Sequence, residues 1–156
     1  MRKKMAKLKT GDPAPAFEAV DQDGNMKTLA DYRGRKLILY FYPKDNTPGC
    51  TAEACSLRDG RDTLRRMGFE VVGVSPDSEK SHQGFIAKQG LNFTLLADTD
   101  KKIAEAYGVW GEKKFMGRTF MGILRTTFVI DEQGVIEKIF DKVRTKDYFE
   151  QIGEAY

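Results

Sequence analysis

LILYFYPKDNTPGCTAEAC, residues Leu37–Cys55, decides how the rest of the chain reads. It opens on an almost unbroken apolar run, Leu37 to Pro43, of the length of one strand. Runs of this kind suit a central strand covered on both faces. Phe69–Ser75 (FEVVGVS) is a second run of the same type. Between the two, Cys50, Ala54, Leu57, Leu64 and Met67 recur on one helical face. Strand, helix, strand in that order makes a βαβ unit with a parallel pair.

Downstream of this unit the pattern predicts a helix over Glu79–Gln89, a short strand over Phe93–Ala97 and a helix over Asp100–Tyr107. Thr126–Asp131 and Val135–Phe140, joined around Glu132-Gln133-Gly134, read as an antiparallel hairpin. A closing helix is expected over Thr145–Ala155, and it is expected to be short because the chain stops at Tyr156. Upstream, LKTGDPAPAFEAVDQDGNMKTLADYRGR carries Pro, Gly and Asp punctuation and reads as an irregular entry with short strands. Within it Asp23-Gly24-Asn25 is a hairpin turn between Phe17–Val20 and Met26–Leu29. Helices interleaved with a mixed central sheet predict an α/β sandwich of thioredoxin-like type with an N-terminal extension. No repeat, low-complexity tract or linker divides it, so residues 1–156 are expected to form one domain.

A chain of 156 residues can bury a proper core without staples. Its 26 basic and 23 acidic residues leave a net charge of +3, too balanced to indicate nucleic acid or a membrane surface as partner. Arg2, Lys3, Lys4, Lys7 and Lys9 supply much of the excess, and residues 1–8 are expected to be a loose basic terminus. The opening MRKK lacks the apolar stretch of a secretory signal, and nothing approaches the length of a membrane-spanning helix. The expected compartment is therefore the cytoplasm. A reducing compartment disfavours a structural disulfide and favours a transient, catalytic one.

The chemistry sits where the first long strand hands over to the helix, as sites in open α/β sheets tend to do. Thr47 suits the N-cap and Pro48 the first helical position, where a missing N–H costs nothing. Cys50 then falls in the first turn, near unpaired N–H groups and the positive end of the helix dipole. That environment favours a thiolate, the nucleophilic form. Cys50 is either such a nucleophile or a small buried hydrophobe, and the Thr-Pro-Gly lead-in favours the first. Cys55 follows five residues later, which in a helix is a rise of about 7.5 Å and a turn of roughly 140°. The Cα atoms would stand roughly 8.7 Å apart by that geometry, whereas a disulfide needs about 7 Å or less. No bond between them can form while both are helical. Taken alone, Cys55 is an inert helix thiol or a partner for Cys50.

Other chemistries find little support. Two cysteines and the single His82 cannot complete a closed zinc site, so no metal is expected. The spacing is not C-x-x-C, and no glycine-rich phosphate loop is present. His82, in the polar stretch SEKSHQ, is placed on a solvated helix face, and Trp110 is taken as a packing residue. Arg125 lies beside a run that should be buried, where a charge needs a partner. That partner is either a carboxylate or the Cys50 pocket.

FYPKDNTPGCTAEACSLRD, with Pro43, Thr47 and Cys50 in the pattern P-x-x-x-T-x-x-C, resembles the active-site segment of the peroxiredoxins. The match is with the bacterioferritin comigratory protein, or Q-type, branch. The similarity continues through VVGVSPDS, LLADTD, YGVWGEKKFMGR and RTTFVIDEQG, and covers the chain from about Leu8 onward. The resemblance implies a thioredoxin fold with N-terminal additions and a thiol peroxidase acting on hydrogen peroxide and organic hydroperoxides. It implies that Cys50 is the peroxidatic cysteine, Thr47 a hydrogen-bond donor to the peroxide and Pro43 a wall of the pocket. Arg125 would stabilise the thiolate and the reacting oxygens. Cys55 would resolve the oxidised Cys50 through an intramolecular disulfide, which thioredoxin or a glutaredoxin reduces. Cysteine chemistry on a peroxide would need no organic cofactor. A monomer or weak homodimer is expected. Two rivals are a general disulfide oxidoreductase and a non-enzymatic holdase or redox-sensing module. The second is thinly supported, since no large exposed apolar segment is expected.

Overall fold

The computed structural model describes residues 7–156. Most of the basic stretch, residues 1–6, lies outside the described residues, while Leu8 packs against the core. After a short hairpin, β1 (Glu18–Val20) and β2 (Met26–Thr28), and a 3-10 turn at Leu29–Tyr32, the chain enters β3 (Lys36–Phe41). It continues through α1 (Pro48–Arg66), β4 (Phe69–Ser75), α2 (Glu79–Gln89), β5 (Thr94–Ala97) and α3 (Lys102–Ala106). The hairpin of β6 (Trp110–Phe115) and β7 (Arg118–Ile123) follows, then β8 (Thr126–Ile130), β9 (Ile136–Phe140) and α4 (Tyr148–Glu154).

Five strands form the central sheet in the order β5-β4-β3-β8-β9. β3 pairs parallel with β4 and antiparallel with β8, so the expected βαβ unit sits at the middle of a mixed sheet. The unbroken apolar runs follow from this position. Leu37, Leu39 and Phe41 face one core while Ile38, Tyr40 and Tyr42 face the other, because side chains alternate across a strand. Val72 and Val74 of β4 point into the first core and Phe69 and Val71 into the second. The entry segment (Ala14, Phe17, Ala19) and α3 cover the first core; α1, α2 and α4 cover the second. The architecture is the α/β, thioredoxin-like sandwich that the pattern predicts. No helix among the described residues is long and apolar enough to cross a membrane.

α1 buries Cys50, Ala54, Leu57 and Leu64 as expected, but Met67 is the C-cap and nearly half exposed. α4 docks on the outside of α1 at Gly60, where a Cβ would come within 2.2 Å of the Phe149 ring. The Phe149 N–H also donates to Ser56 Oγ at 2.9 Å.

Two further expectations fail. His82 is not on a solvated face: it is 0% exposed, turned inward from α2 and bonded to Asp45 and to the Leu96 carbonyl. Its polar neighbours concealed that it lies one turn from Phe85, on the buried stripe of the helix. The chain also exposes a substantial apolar segment. The β6–β7 hairpin leaves Phe115, Met116, Phe120 and Met121 in solvent. Its turn is Met116-Gly117, both at positive φ, without the Asn-Gly or Asp-Gly signature that marks such turns in a sequence. Trp110 at its base does pack on the core, with Lys101 Nζ 5.1 Å from its ring centroid.

Candidate active site

The loop after β3 delivers the chain to the start of α1. Asn46 adopts the left-handed conformation (φ 63) that asparagine tolerates, and Thr47 follows in extended backbone as N-cap. The Thr47 hydroxyl does not cap the helix by its side chain: it donates to the Lys44 carbonyl at 2.8 Å. Pro48 takes the first helical position as expected. The Gly49 and Cys50 N–H groups then have no intrahelical acceptor and point off the end of the helix. Cys50 is 1% exposed and belongs to the second core.

Arg125 immediately precedes β8, the antiparallel neighbour of β3, and this register brings its guanidinium to the first turn of α1. Its Nη2 donates to Cys50 Sγ at 3.3 Å, and its Nη1 donates to Glu53 Oε1 at 2.6 Å. The two partners left open for Arg125 are therefore both occupied, the sulfur and a carboxylate. Its guanidinium keeps its proton more firmly than usual: burial opposes this, and Glu53 and Cys50 outweigh burial.

Glu53 was not singled out in the sequence, yet it stands one turn after Cys50 on the same face of α1. That i, i+3 spacing on a buried stripe was the available signal. Its side chain is 0% exposed, and burial pushes its carboxyl up to about 7 against the pull of Arg125. Oε2 has no hydrogen-bond partner. Around the carboxyl stand two fully buried phenols, Tyr40 and Tyr148, whose rings meet edge-on at 5.9 Å. Burial, then the nearby Glu53 charge, holds both well above the ordinary phenol range, so both remain neutral. The Tyr148 hydroxyl bonds Thr127 Oγ1, while the Tyr40 hydroxyl is unpartnered.

Pro43 is half-buried at the end of β3, ahead of Thr47 on the same loop. Arg125 also lines a cavity of about 530 Å³, walled by Leu8, Tyr107, Val109, Leu124, Phe128 and Val143 and by the charged Lys7 and Asp141. Lys113 lines it too, donates to the Ile123 carbonyl at 2.9 Å, and is made less basic by burial and then by Arg125. Cys55 lies on α1, half-buried, with its thiol 3.6 Å from Gln89 Oε1 at the end of α2. Both cysteines are free thiols. The structure thus gathers Cys50, Arg125 and Thr47 at the helix start and sets Cys55 further along the same helix. Among the described residues no group of three or more His, Cys, Asp or Glu side chains is placed to hold a metal ion.

The buried Cys50 sulfur thus stands at a helix N-terminus, where free N–H groups and a guanidinium converge on one atom. The chain is 51% identical over 148 residues to the putative peroxiredoxin bcp of Haemophilus influenzae, covering 95% of this chain and 96% of that protein. It is 47% identical over the same length to peroxiredoxin Bcp of Escherichia coli K12, covering 95% of each. Among solved structures, a cysteine-to-serine mutant of Xylella fastidiosa PrxQ superposes with a TM-score of 0.90 at 33% identity, over 97% of this chain and 96% of that one. The bacterioferritin comigratory protein of Xanthomonas campestris, studied for its alkyl peroxide reduction activity, gives 0.84 at 34% identity over 89% and 88%. The AhpC/TSA family profile matches residues 10–139, and with these relatives it makes the chain a member of that family, a peroxiredoxin of the Bcp/PrxQ kind.

Proposed function

We propose that Cys50 is the peroxidatic cysteine of this peroxidase and that Cys55 resolves it. The observation that carries the assignment is Arg125 Nη2 at 3.3 Å from Cys50 Sγ, at the open end of α1. The thiolate attacks the terminal oxygen of a hydroperoxide. An S–O bond forms, the O–O bond breaks, and the alkoxide or hydroxide that leaves takes up a proton as alcohol or water. Cys50 is left as the sulfenic acid. Arg125 and the free N–H groups of the first turn stabilise the charge that spreads over sulfur and both oxygens. The Thr47 hydroxyl hydrogen is committed to Lys44, so toward the substrate Thr47 offers lone pairs that accept the hydroperoxide O–H. Pro43 walls the approach.

Organic hydroperoxides are proposed as substrates alongside hydrogen peroxide, the former supported by the alkyl peroxide reduction activity of the Xanthomonas campestris relative. The cavity that Arg125 lines has apolar walls at Leu8, Val109, Leu124 and Phe128 that offer room for an alkyl group. Cys55 then attacks the sulfenic acid, releasing water and closing the Cys50–Cys55 disulfide. An external dithiol protein, thioredoxin or a glutaredoxin, reduces it. The setting proposed is a single cytoplasmic domain working as a monomer or weak homodimer.

The test is hydroperoxide consumption coupled to thioredoxin and its reductase. Cys50→Ser abolishes it. Cys55→Ser still consumes one equivalent of peroxide and accumulates a sulfenic acid that dimedone traps. Turnover surviving in Cys50→Ser would refute the assignment.

A further inference from the structure

Asp45 stands in the middle of the loop that joins β3 to α1, five residues ahead of Cys50, and is only 4% exposed. Its carboxylate gathers three side chains. The Tyr42 hydroxyl donates to Oδ1 at 2.6 Å, the Ser81 hydroxyl donates to Oδ2 at 2.8 Å, and His82 Nδ1 lies 2.7 Å from Oδ2. The Asp45 N–H donates to Asp77 Oδ2 at 2.8 Å, and Asp77 in turn accepts the Ser75 hydroxyl at 2.7 Å. One loop residue is thus tied to the ends of β3 and β4 and to the first turn of α2.

The His82 ring completes this arrangement in a particular charge state. Nε2 lies 2.9 Å from the Leu96 carbonyl oxygen, which has lone pairs only. Nδ1 faces a carboxylate oxygen that already accepts from Ser81. A neutral imidazole donates from one nitrogen, an imidazolium from both. Only the imidazolium donates to both acceptors at once, and a buried carboxylate in turn needs a counter-charge. None of these groups is hydrogen-bonded to Cys50, and the peroxide chemistry gives them no direct part. What they hold is the backbone on which that chemistry stands. Asn46, next to Asp45, is in the left-handed region, and Thr47 and the first turn of α1 follow at once.

We propose that His82, as an imidazolium paired with Asp45, is a positioning residue for peroxide reduction that fixes the loop carrying Thr47 and the helix start carrying Cys50. The proposal rests on the peroxidase reading of Cys50. Removing the ring leaves Asp45 buried without its cation, so the loop must move to solvate it, and Thr47 and the first-turn N–H groups move with the loop. Displacements of about 1 Å at a reacting centre can cost about a hundredfold in rate.

His82 is the only histidine in the chain, so a protein labelled with ¹⁵N-histidine gives one imidazole spectrum without assignment. In the reduced protein at neutral pH, both ring nitrogens are expected to carry slowly exchanging protons. A ring with one bare nitrogen overturns the ion pair. In His82→Gln, oxidation of Cys50 by peroxide is expected to slow about tenfold or more, while its alkylation by iodoacetamide stays within about threefold of the wild-type rate. Unchanged peroxide oxidation overturns the proposal. So does a parallel fall of both rates, which would mark a structural role alone. Should His82→Gln fail to fold, Ser81→Ala removes one of the three donors to Asp45 and carries the same test. A twofold to threefold slowing specific to peroxide, about 0.4–0.6 kcal/mol, supports the proposal, and equal rates overturn it. A wild-type protein that does not oxidise with peroxide would remove the peroxidase reading and the positioning role together, while the imidazole spectrum would still decide the ion pair.

Discussion

Cys50 and Glu53, one turn apart on α1, share a single guanidinium: Arg125 reaches the sulfur at 3.3 Å and the carboxylate at 2.6 Å. In the proposed mechanism the sulfur is the reacting atom, and Glu53 is the brace that holds the arginine beside it. A free arginine side chain samples many rotamers, and single hydrogen bonds to two buried acceptors remove that freedom before the substrate arrives.

Arg125→Ala is therefore expected to slow peroxide oxidation of Cys50 by about 10²-fold, the usual cost of losing one preorganised donor. Arg125→Lys should fall between the two, since an ammonium is a point charge and cannot span sulfur and carboxylate in one plane. Stopped-flow oxidation with one equivalent of peroxide measures both. An alanine variant within a few-fold of wild type would leave Arg125 a structural residue.

Glu53 also predicts how stability depends on pH. Burial raises its carboxyl from 4.5 to about 7, so between those values the folded protein binds a proton that the unfolded chain releases. Folding is favoured below about 4.5, and the Glu53 contribution is lost as pH rises through about 7, to a total of roughly 3 kcal/mol. Glu53→Gln keeps an oxygen for Arg125 and cannot titrate. Urea unfolding across that window should show this fall in wild type and a flatter profile in the variant. Parallel profiles would mean that Glu53 is not the titrating group.

Much of this site could be read from residue order. The alternation of β3 between two cores makes its run unbroken, and Thr47-Pro48 marks the helix start, so Cys50 is located without coordinates. The need of Arg125 for a partner was equally legible, but sequence could not choose between carboxylate and thiol because the answer depends on the β3–β8 register. Glu53 was hidden by its charge, which reads as solvent-facing unless a buried cation is known to lie opposite. His82 was hidden likewise by flanking Ser, Lys and Gln residues. Both are polar groups on apolar stripes, where only a tertiary partner explains the choice.

Gly60 sets how closely α4 approaches α1. Gly60→Ala gains about 1 kcal/mol of helix propensity. The new Cβ would stand 2.2 Å from the Phe149 ring, and overpacking costs typically 1–3 kcal/mol. The clash should win, lowering Tm by about 2–6 °C. A thermal melt checks this, and a Tm equal to or above wild type would show that α4 yields freely.

The same anchor bounds the motion that disulfide formation requires. Both cysteines lie on α1, and five helical residues hold their Cα atoms roughly 8.7 Å apart with diverging side chains, beyond bonding reach. Oxidation must therefore unwind part of the helix, and the structure says which part can move. From Ser56 onward α1 is tied down: Ser56 accepts the Phe149 N–H at 2.9 Å, Arg58 donates to the Gln89 carbonyl at 2.6 Å, and Asn92 donates to the Arg58 carbonyl at 3.3 Å. Before Ser56, beside the core packing of Cys50 and Ala54, the side-chain hydrogen bonds are the Arg125 bridge to Cys50 and Glu53 and the weak contact of Cys55 with Gln89. Oxidation of the sulfur would change the group Arg125 binds, so the proposed reaction is expected to loosen the first two turns. Opening them breaks a few helical hydrogen bonds at a net loss of about 0.5–1.5 kcal/mol each, which native proteins sample locally. Amide hydrogen exchange in the reduced and disulfide forms should therefore differ over residues 48–55 and agree over residues 57–66. Equal protection over the first segment would mean that the bond forms without unwinding. Loss of protection along the whole helix would mean that α4 releases α1, and the hinge would then lie at the end of α1 and not at Ser56.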